Sequence, residues 1–538
     1  TFVGKKPLTY REVGEAVKTL TRYLHSRGVK RGDRVALLSE NMPNWGIAFF
    51  AVTTLGAVAV PILPDFTANQ IHHIIRHAGC KAVFVSEKLL DRLEEGEFSE
   101  LETAILIDTF SIVPLEAAGK KLKKGAKKQV KGFSKLQNMS YFLRRKLRPE
   151  VKEDDLASII YTSGTTGHSK GVMLTHKNLV SNTFASMTLK EVNDRDRFLS
   201  ILPLSHTIEC TIGFLIPFSK GACIYYLEKR PTPRLLMQAF QQVKPTMMVS
   251  VPLIIEKIYK TRIHPQLTKS GLVNRLYKFA PVRKKLHQVA GKKLLASFGG
   301  KLKFFGIGGA KLGAEVERFL REAKFPYAVG YGLTETSPLI AGVKPELTKF
   351  RSTGPAIPGV EIKIDQPNPQ TGEGEILVKG PNVMKGYYQD PERTKQVFTK
   401  DGWFRTGDLG KLDSDNYLYI MGRLKNMILG PSGENIYPEE IESLIDEHDL
   451  VLESLVFLEE GNLVARVHLN YEELDKMFLG KNLSETKIEQ EIKRLLEEIR
   501  QGVNEKVASF SRISKIIEQT EPFEKTPTLK VKRYLYAD

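Results

Sequence analysis

VALLSENMPNWGIAFFAVTTLGAVAVP, residues 35–61, is the stretch on which the architecture turns. VALL (35–38) is apolar at every position, as a strand covered on both faces must be. Pro43 and Asn44 start a helix, Gly56 stops it, and AVAVP (57–61) is a second all-apolar strand. Strand, helix, strand is the grammar of a parallel sheet, because parallel neighbours need a crossover connection. The same residues sit in a long uncharged run between Glu40 and Asp65 that reaches the length of a membrane span. The proline start, the glycine stop and the valine-rich end read instead as a buried helix followed by a buried strand.

Working outward, Thr9 and Glu12 form a capping-box pattern, and Val13, Val17, Leu20 and Leu24 recur at helical spacing until Gly28. A helix near 67–78 and the strand AVFV (82–85) continue the alternation. Such sheets hold ligands beyond the carboxyl ends of their strands. On that helix His72, His73 and His77 include an i, i+4 pair, but without a third ligand at a recognised spacing they read as a solvated surface and not a metal site.

At roughly 150 residues per domain, 538 residues make three or four domains' worth of chain. An apolar fraction of 41% and a charged fraction of 26% exclude wholesale disorder. Cys80, Cys210 and Cys223 lie far apart without CxxC spacing, which excludes a disulfide framework or cysteine zinc site and suits buried thiols in a reducing, cytoplasmic setting. The sequence begins at Thr1 and says nothing of a leader or anchor upstream.

The net charge is +18, and it is concentrated. Residues 119–148 hold twelve Lys/Arg and 257–303 hold thirteen, with no acid in either, so the rest of the chain is net negative. Basic surfaces of this kind meet an anionic membrane face, an acidic carrier protein, a phosphate-rich cofactor or nucleic acid, or serve solubility alone. The first segment has the composition of a linker or basic helix. From about Gly354 short strands with glycine turns (VEIKID, GEGEILVKG, YLYIMG) predict a β-rich subdomain over 354–422. After Gly422, VLESLVFLEEGNLVARVHL predicts a hairpin, 484–507 a charged helix and ISKIIE a last strand. The expected fold class is therefore α/β: a large domain (1–422) of parallel α/β sheets plus the β-rich subdomain, and a small, mobile α+β domain (423–538).

The strongest chemical signal is LASIIYTSGTTGHSKGVMLTHKNLV. A short strand, Ser158–Tyr161, runs into Thr162, Ser163, Gly164, Thr165, Thr166 and Gly167, with Lys170 just beyond. Glycines admit a polyanion to the backbone, hydroxyls and amides donate to it, and a lysine adds charge. Walker spacing is absent, because Ser169 precedes Lys170 and Gly171 follows it.

YTSGTTGHSKGV resembles the signature loop of the adenylate-forming superfamily: acyl- and aryl-CoA synthetases, luciferases and peptide-synthetase adenylation domains. Further motifs similar to that family follow in order: LPLSH (202–206), GIGGAKL (306–312), YGLTE (331–335), GEILVKGPNVMKGYY, FRTGDLG, GRLKNMI and GENIYPEEIE (433–442). The resemblance implies ATP as co-substrate and Mg2+ as cofactor. Thr162, Ser163, Gly164, Thr165, Thr166, Gly167 and Lys170 would face the phosphates. Gly309, Ala310, Tyr331, Gly332 and Thr334 would lie at the adenine side, and Asp408 and Arg423 would bind the ribose. Glu335 would hold Mg2+, which takes oxygen ligands, with Thr334 beside it. Singly, Glu335 and Asp408 read as cap or turn acids; the ordered set reverses that.

His206, Cys210 and Gly308 would form the acyl site. Cys210 stands where some long-chain relatives carry a gating Trp. Lys530, in EKTPTLKVKR, aligns with the lysine that bridges substrate carboxylate and α-phosphate; Leu529 replaces a usual glycine, and Lys532 is the alternative register. Removing that lysine is expected to cost about 3–4 kcal/mol in adenylation. Lys425 would be the hinge about which the small domain turns, and Leu429 stands where many relatives have a further lysine.

LPLSHTIE and VPLIIEKIY are more similar to the long-chain fatty acid branch than to aryl or amino-acid branches. The implied function is activation of a medium- to long-chain fatty acid through an acyl-adenylate and transfer to CoA, with an acidic acyl carrier protein as the alternative acceptor. Peripheral contact with an anionic membrane through 119–148 and 257–303 is the further expected partner, and nucleic acid is not. A catalytically silent basic lipid- or nucleic-acid-binding protein is the reading from another class, opposed by the set Lys170, Glu335, Asp408, Arg423 and Lys530.

Overall fold

The computed structural model describes residues 1–538 except 95, 116–149, 163–168, 230, 269–274, 278, 430–434, 479–483, 527–530 and 537–538. The basic segment 119–148, the Ser163–Gly167 part of the signature loop and Lys530 lie outside the described residues.

The decisive stretch folds as read. β1 (Arg34–Leu38) and β2 (Val58–Ile62) pair in parallel around the helix Pro43–Thr54. Trp45, Ile47, Phe49 and Val52 of that helix are almost wholly buried, each stabilising by on the order of 1.5–3 kcal/mol. The capping box of the first helix, Tyr10–Ser26, is present, with Glu12 Oε2 accepting from the Thr9 amide at 2.7 Å.

β3 (Cys80–Val85) and β4 (Thr103–Leu106) extend the parallel sheet on one side, and β5 (Ser111–Val113) closes that edge antiparallel. On the other side β6 (Leu156–Thr162) pairs with β2 and turns back antiparallel into β7 (Lys170–Thr175). A short strand, Gly386–Tyr387, caps β7. The signature loop therefore joins two strands of a hairpin, with Thr162 opposite Lys170.

A second sheet is wholly parallel: β8 (Arg197–Ser200), β9 (Cys223–Tyr226), β10 (Met247–Ser250), β11 (Phe304–Ile307) and β12 (Tyr327–Val329), in the order β12-β11-β10-β8-β9. The predicted β-rich region is a four-stranded antiparallel sheet, Glu361–Asp365, Gly374–Lys379, Phe404–Leu412 and Leu418–Arg423. Beyond it, the hairpin Val451–Glu459 and Asn462–Leu469, the parallel strand Lys515–Glu518 and the helix Glu485–Asn504 share a separate core that includes Ile441, Val456, Val467 and Leu496. Among the described residues no helix is long and apolar enough to cross a membrane.

Two surface readings are corrected. His72 is 7% exposed and its Nε2 lies 2.7 Å from the Arg92 carbonyl, while His77 Nδ1 lies 2.7 Å from the Tyr161 hydroxyl. Residues 87–93 and 161 cover a face that helical spacing alone leaves open. Cys80 and Cys210 are buried thiols, but Cys223 is only half-buried.

Candidate active site

The site gathers where β7, the turn 333–338 and the strand Phe404–Leu412 meet. Tyr331–Gly332 and Leu339–Ala341 pair antiparallel around that turn. Gly332 is required there: a Cβ would lie 2.0 Å from the Pro338 carbonyl oxygen. The Ser337–Pro338 peptide is cis. Distant segments hold the turn. The amides of Asn182 and Asn382 donate to the Leu339 carbonyl at 2.7 and 3.0 Å, the Thr211 hydroxyl donates to the Ser337 carbonyl at 2.9 Å, and the Met384 amide donates to the Glu335 carbonyl at 2.8 Å.

Glu335 is 8% exposed. Lys170 Nζ lies 2.7 Å from its Oε1 and 2.7 Å from the Tyr387 hydroxyl, which itself donates to Oε1 at 2.9 Å. Burial alone would raise the Glu335 pKa; the Lys170 charge and hydrogen bond, with the Tyr387 hydroxyl, outweigh it and hold the carboxyl below its ordinary range. Thr334 is half-buried beside it.

Asp408, 3% exposed, forms the second centre. The Tyr331 hydroxyl donates to its Oδ2 at 2.6 Å, and Arg423 Nε lies 2.7 Å from its Oδ1 across the antiparallel ladder. Burial, then the Asp408 charge, push the Tyr331 phenol well above its usual pKa, so it stays a donor. Thr162 Oγ1, at the edge of the signature loop, is buried with no hydrogen-bond partner among the described residues.

Between these centres and the second sheet runs an apolar cavity. On β11 the side chain of Phe305 enters the core, while Phe304, Gly306, Ile307 and the following Gly308 line the cavity. Ala328, Gly330 and Gly332 continue that small-residue floor. Ile208, Ile212 and Ile216 form the opposite wall, and Met247, Phe198 and Val192 lie with Phe304 among the lining residues. The cavity reaches Gly309, Tyr331 and Pro338, so it abuts both carboxylate centres. Among the described residues Lys190 is its one charged lining residue, and its Nζ is paired to Glu346 at 3.0 Å.

Ile208, Ile212 and Ile216 are spaced four residues apart and all line the cavity, on and beside the π-helix Glu209–Leu215, a form frequent at functional sites. Cys210, assigned by sequence to the acyl site, is absent from the lining; it packs in the core cluster of Trp45 and Phe214, and burial with the nearby Glu209 raises its thiol pKa to about 12. His206 is half-buried in the loop after β8. That loop is clamped by Asn41, whose Nδ2 donates to Ser200 Oγ at 3.0 Å and whose Oδ1 accepts from the Leu204 amide at 2.8 Å. Glu209, 1% exposed, accepts from Ser200 and the Leu202 amide, yet burial drives its pKa to about 8.

The structure thus brings Thr162, Lys170, Gly308, Gly309, Tyr331, Gly332, Thr334, Glu335, Asp408 and Arg423 around one region. Ala310 is exposed at the end of β11. Lys425 sits in the 3-10 turn Leu424–Asn426, directly after Arg423. Lys532, the alternative register for the tail lysine, has its ammonium 3.0 Å from Glu524, and Arg533 is clamped to Glu442 at 2.8 Å. Tyr387 and Glu209 were not singled out from sequence. Tyr387 lay inside GEILVKGPNVMKGYY, and Glu209 was the lone acid in an apolar run.

The AMP-binding enzyme family model matches residues 1–388. Among curated relatives, the chain is 32% identical over 498 residues to long chain acyl-CoA synthetase 6, peroxisomal, of Arabidopsis thaliana, covering 86% of this chain and 69% of that one. It is 29% identical over 574 residues to long-chain-fatty-acid–CoA ligase 5 of Rattus norvegicus, covering 98% and 82%. Among solved structures, ATP-bound MatB from Rhodopseudomonas palustris superposes with a TM-score of 0.73 at 25% identity, covering 98% of this chain and 92% of that one. With the family model spanning most of the chain and the motifs in order along it, the protein belongs to the AMP-binding, adenylate-forming enzymes.

Proposed function

We propose that this chain is an AMP-forming acid–thiol ligase that activates a medium- to long-chain fatty acid with ATP and transfers it to CoA. The observation that carries the substrate class is the cavity. A glycine- and alanine-floored, isoleucine-walled channel that abuts the carboxylate centres suits a polymethylene chain, whose burial yields about 0.8 kcal/mol per CH2. It offers no described acid to anchor an α-amino group, as an amino-acid substrate would need.

In the first half-reaction a carboxylate oxygen of the fatty acid attacks the α-phosphorus of ATP; that P–O bond forms, the bond to the β-phosphate breaks, and pyrophosphate leaves. Two anions meet, so the barrier falls only if positive charge and donors are already in place. Lys170 supplies one such charge, held in position by Glu335 and Tyr387. The Thr162 hydroxyl, buried and without a partner among the described residues, fits a phosphate-facing donor. Asp408 would accept from the ribose hydroxyls while Arg423 and Tyr331 hold it in place. Glu335 is the oxygen ligand fitted to Mg2+, which would neutralise phosphate charge when bound. Lys530 would bridge carboxylate and α-phosphate. In the second half-reaction the CoA sulfur attacks the acyl carbon, the C–O bond to phosphate breaks, AMP leaves and the thiol proton passes to solvent. The small domain, 423–538, would turn about Lys425 between the halves. Contact with an anionic membrane through the basic segments is part of the same proposal.

Fatty acids of graded length offered with MgATP test it. Pyrophosphate release that rises with chain length, followed by thioester on adding CoA, is expected. Absence of pyrophosphate release with every acid tried, or thioester with an acyl carrier protein and none with CoA, would overturn the assignment.

A further inference from the structure

The helix Ala280–Ser297 is buried on one side only. His287, Gly291 and Leu294 face inward, and a Cβ on Gly291 would lie 2.6 Å from that of Ala323, so the helix sits close against the helix Ala314–Glu322 and its end. Arg283 ties the two together, its Nη2 2.9 Å from Glu322 Oε1.

The other side is open. Val282, Lys285, Val289, Lys292, Lys293 and Ala296 are all exposed and fall at spacings of three and four, one continuous stripe. Val289 is 52% exposed, and Phe279, just before the helix, is 62% exposed. Among the described residues none of Lys284, Lys285, Lys292 and Lys293 is paired to an acid, and residues 257–303 contain no acid at all. Exposed apolar side chains beside lysines without an acid partner offer the two contacts a lipid surface takes, hydrocarbon for the headgroup layer and ammonium for phosphate. The helix His176–Ser186 gives the contrast: it exposes Val180 and Phe184 equally, but its Lys177 is paired to Glu153 at 2.9 Å, so it carries no surplus charge.

We propose that this face of Ala280–Ser297 docks the protein on an anionic lipid surface. Phe279, Val282 and Val289 enter the headgroup layer, and Lys285, Lys292 and Lys293 meet lipid phosphates. The helix leads through residues 298–303 into β11, whose first residue, Phe304, lines the acyl cavity. The inference deepens the fatty-acid reading, which supplies its purpose: a substrate that partitions into membranes.

The test sediments the full chain with vesicles of phosphatidylcholine alone or mixed with phosphatidylglycerol. Binding to the mixed vesicles only, weakening as salt rises, is expected. Lys285→Gln with Lys292→Gln should weaken it by roughly tenfold or more. Phe279→Ser with Val289→Ser should weaken it while leaving its salt dependence in place. Both pairs change exposed side chains, so thermal midpoints and pyrophosphate release from dissolved acid should match the parent protein. Equal binding to both vesicle types, or parent-like binding by both variant pairs, would overturn the proposal. So would loss, in the lysine variant, of binding to an acyl carrier protein by a chain that ignores vesicles, since the face would then belong to an acidic protein. Vesicle binding without pyrophosphate release would count against the activity alone and leave the docking face standing.

Discussion

Two buried glutamates, each next to residues that line the apolar cavity, behave in opposite ways. Glu335, in the turn 333–338, is held below the ordinary carboxylate range; Glu209, at the head of the π-helix opposite, is pushed up to about 8. Both are buried, at 8% and 1% exposure, so burial does not separate them. A cation does. Glu335 has Lys170 at 2.7 Å, whereas Glu209 has neutral donors from Ser200 and Leu202 and, among the described residues, one carboxylate oxygen without a partner. Neutral donors offset only part of the desolvation of an ionised carboxylate, and a paired charge offsets more. The first glutamate is built to remain charged beside Lys170, and the second to stay neutral behind the isoleucines that line the apolar cavity.

The two therefore load the pH–stability curve in opposite directions. Glu335, with its folded pKa depressed, contributes stability that is complete above its unfolded pKa and lost as pH falls through the folded value. Glu209, with its folded pKa raised from 4.5 to about 8, makes the fold lose stability as pH climbs between those values.

The hardest blow to this contrast is Lys170→Met. It strips Glu335 of its cation, so pyrophosphate release should fall by at least ~100-fold and unfolding free energy by about 3 kcal/mol. Adding Glu335→Gln should restore most of the stability and none of the activity; denaturant titration beside a pyrophosphate assay reads both. A stability loss that Glu335→Gln does not repair would mean the pair is not what holds the turn.

Next in size is Glu209→Gln. Near pH 4 it should match the parent protein, and at pH 8 it should be more stable by about 2–4 kcal/mol, with a flatter curve of thermal midpoint against pH. An unchanged curve would remove Glu209 from the comparison. Tyr387→Phe deletes one donor to Glu335 and should cost about 1–2 kcal/mol in denaturant unfolding while raising the pH of acid unfolding.

The smallest effect lies between the large and small domains. His264 Nδ1 lies 3.0 Å from Asp449, and that hydrogen bond raises the imidazole pKa against the burial that lowers it. Its stabilisation is complete below the unfolded histidine pKa and disappears as pH rises through the raised folded one. Because the Asp449 side chain is 62% exposed, Asp449→Asn should cost less than about 1 kcal/mol at pH 5 and nothing at pH 9. Limited proteolysis at the domain junction, compared at the two pH values, detects it.

Much of this was readable along the chain. The strand–helix–strand start, the antiparallel 361–423 sheet and the terminal hairpin and helix follow local periodicity and punctuation, and they fold where read. The motif residues from Lys170 to Arg423 could be ordered by resemblance. The partner of Lys170 could not: Glu335 is 165 positions away and Tyr387 is 217, and no local pattern encodes which buried acid meets which lysine. Cys210, His72 and His77 departed from their reading for a related reason, while His73 is exposed as read. The π-helix turns Ile208, Ile212 and Ile216 toward the channel and Cys210 toward Trp45, and a 3-10 segment 20 positions on supplies the carbonyl that His72 meets.

Sequence by itself fixed the element types and the motif order, since backbone propensity and apolar period act over a few residues. Which carboxylate stays charged, which residues line the cavity and which lysines, among the described residues, are left without an acid partner were decided by tertiary structure. Electrostatic energy depends on distance and on the exclusion of water, and only the packed chain sets either one.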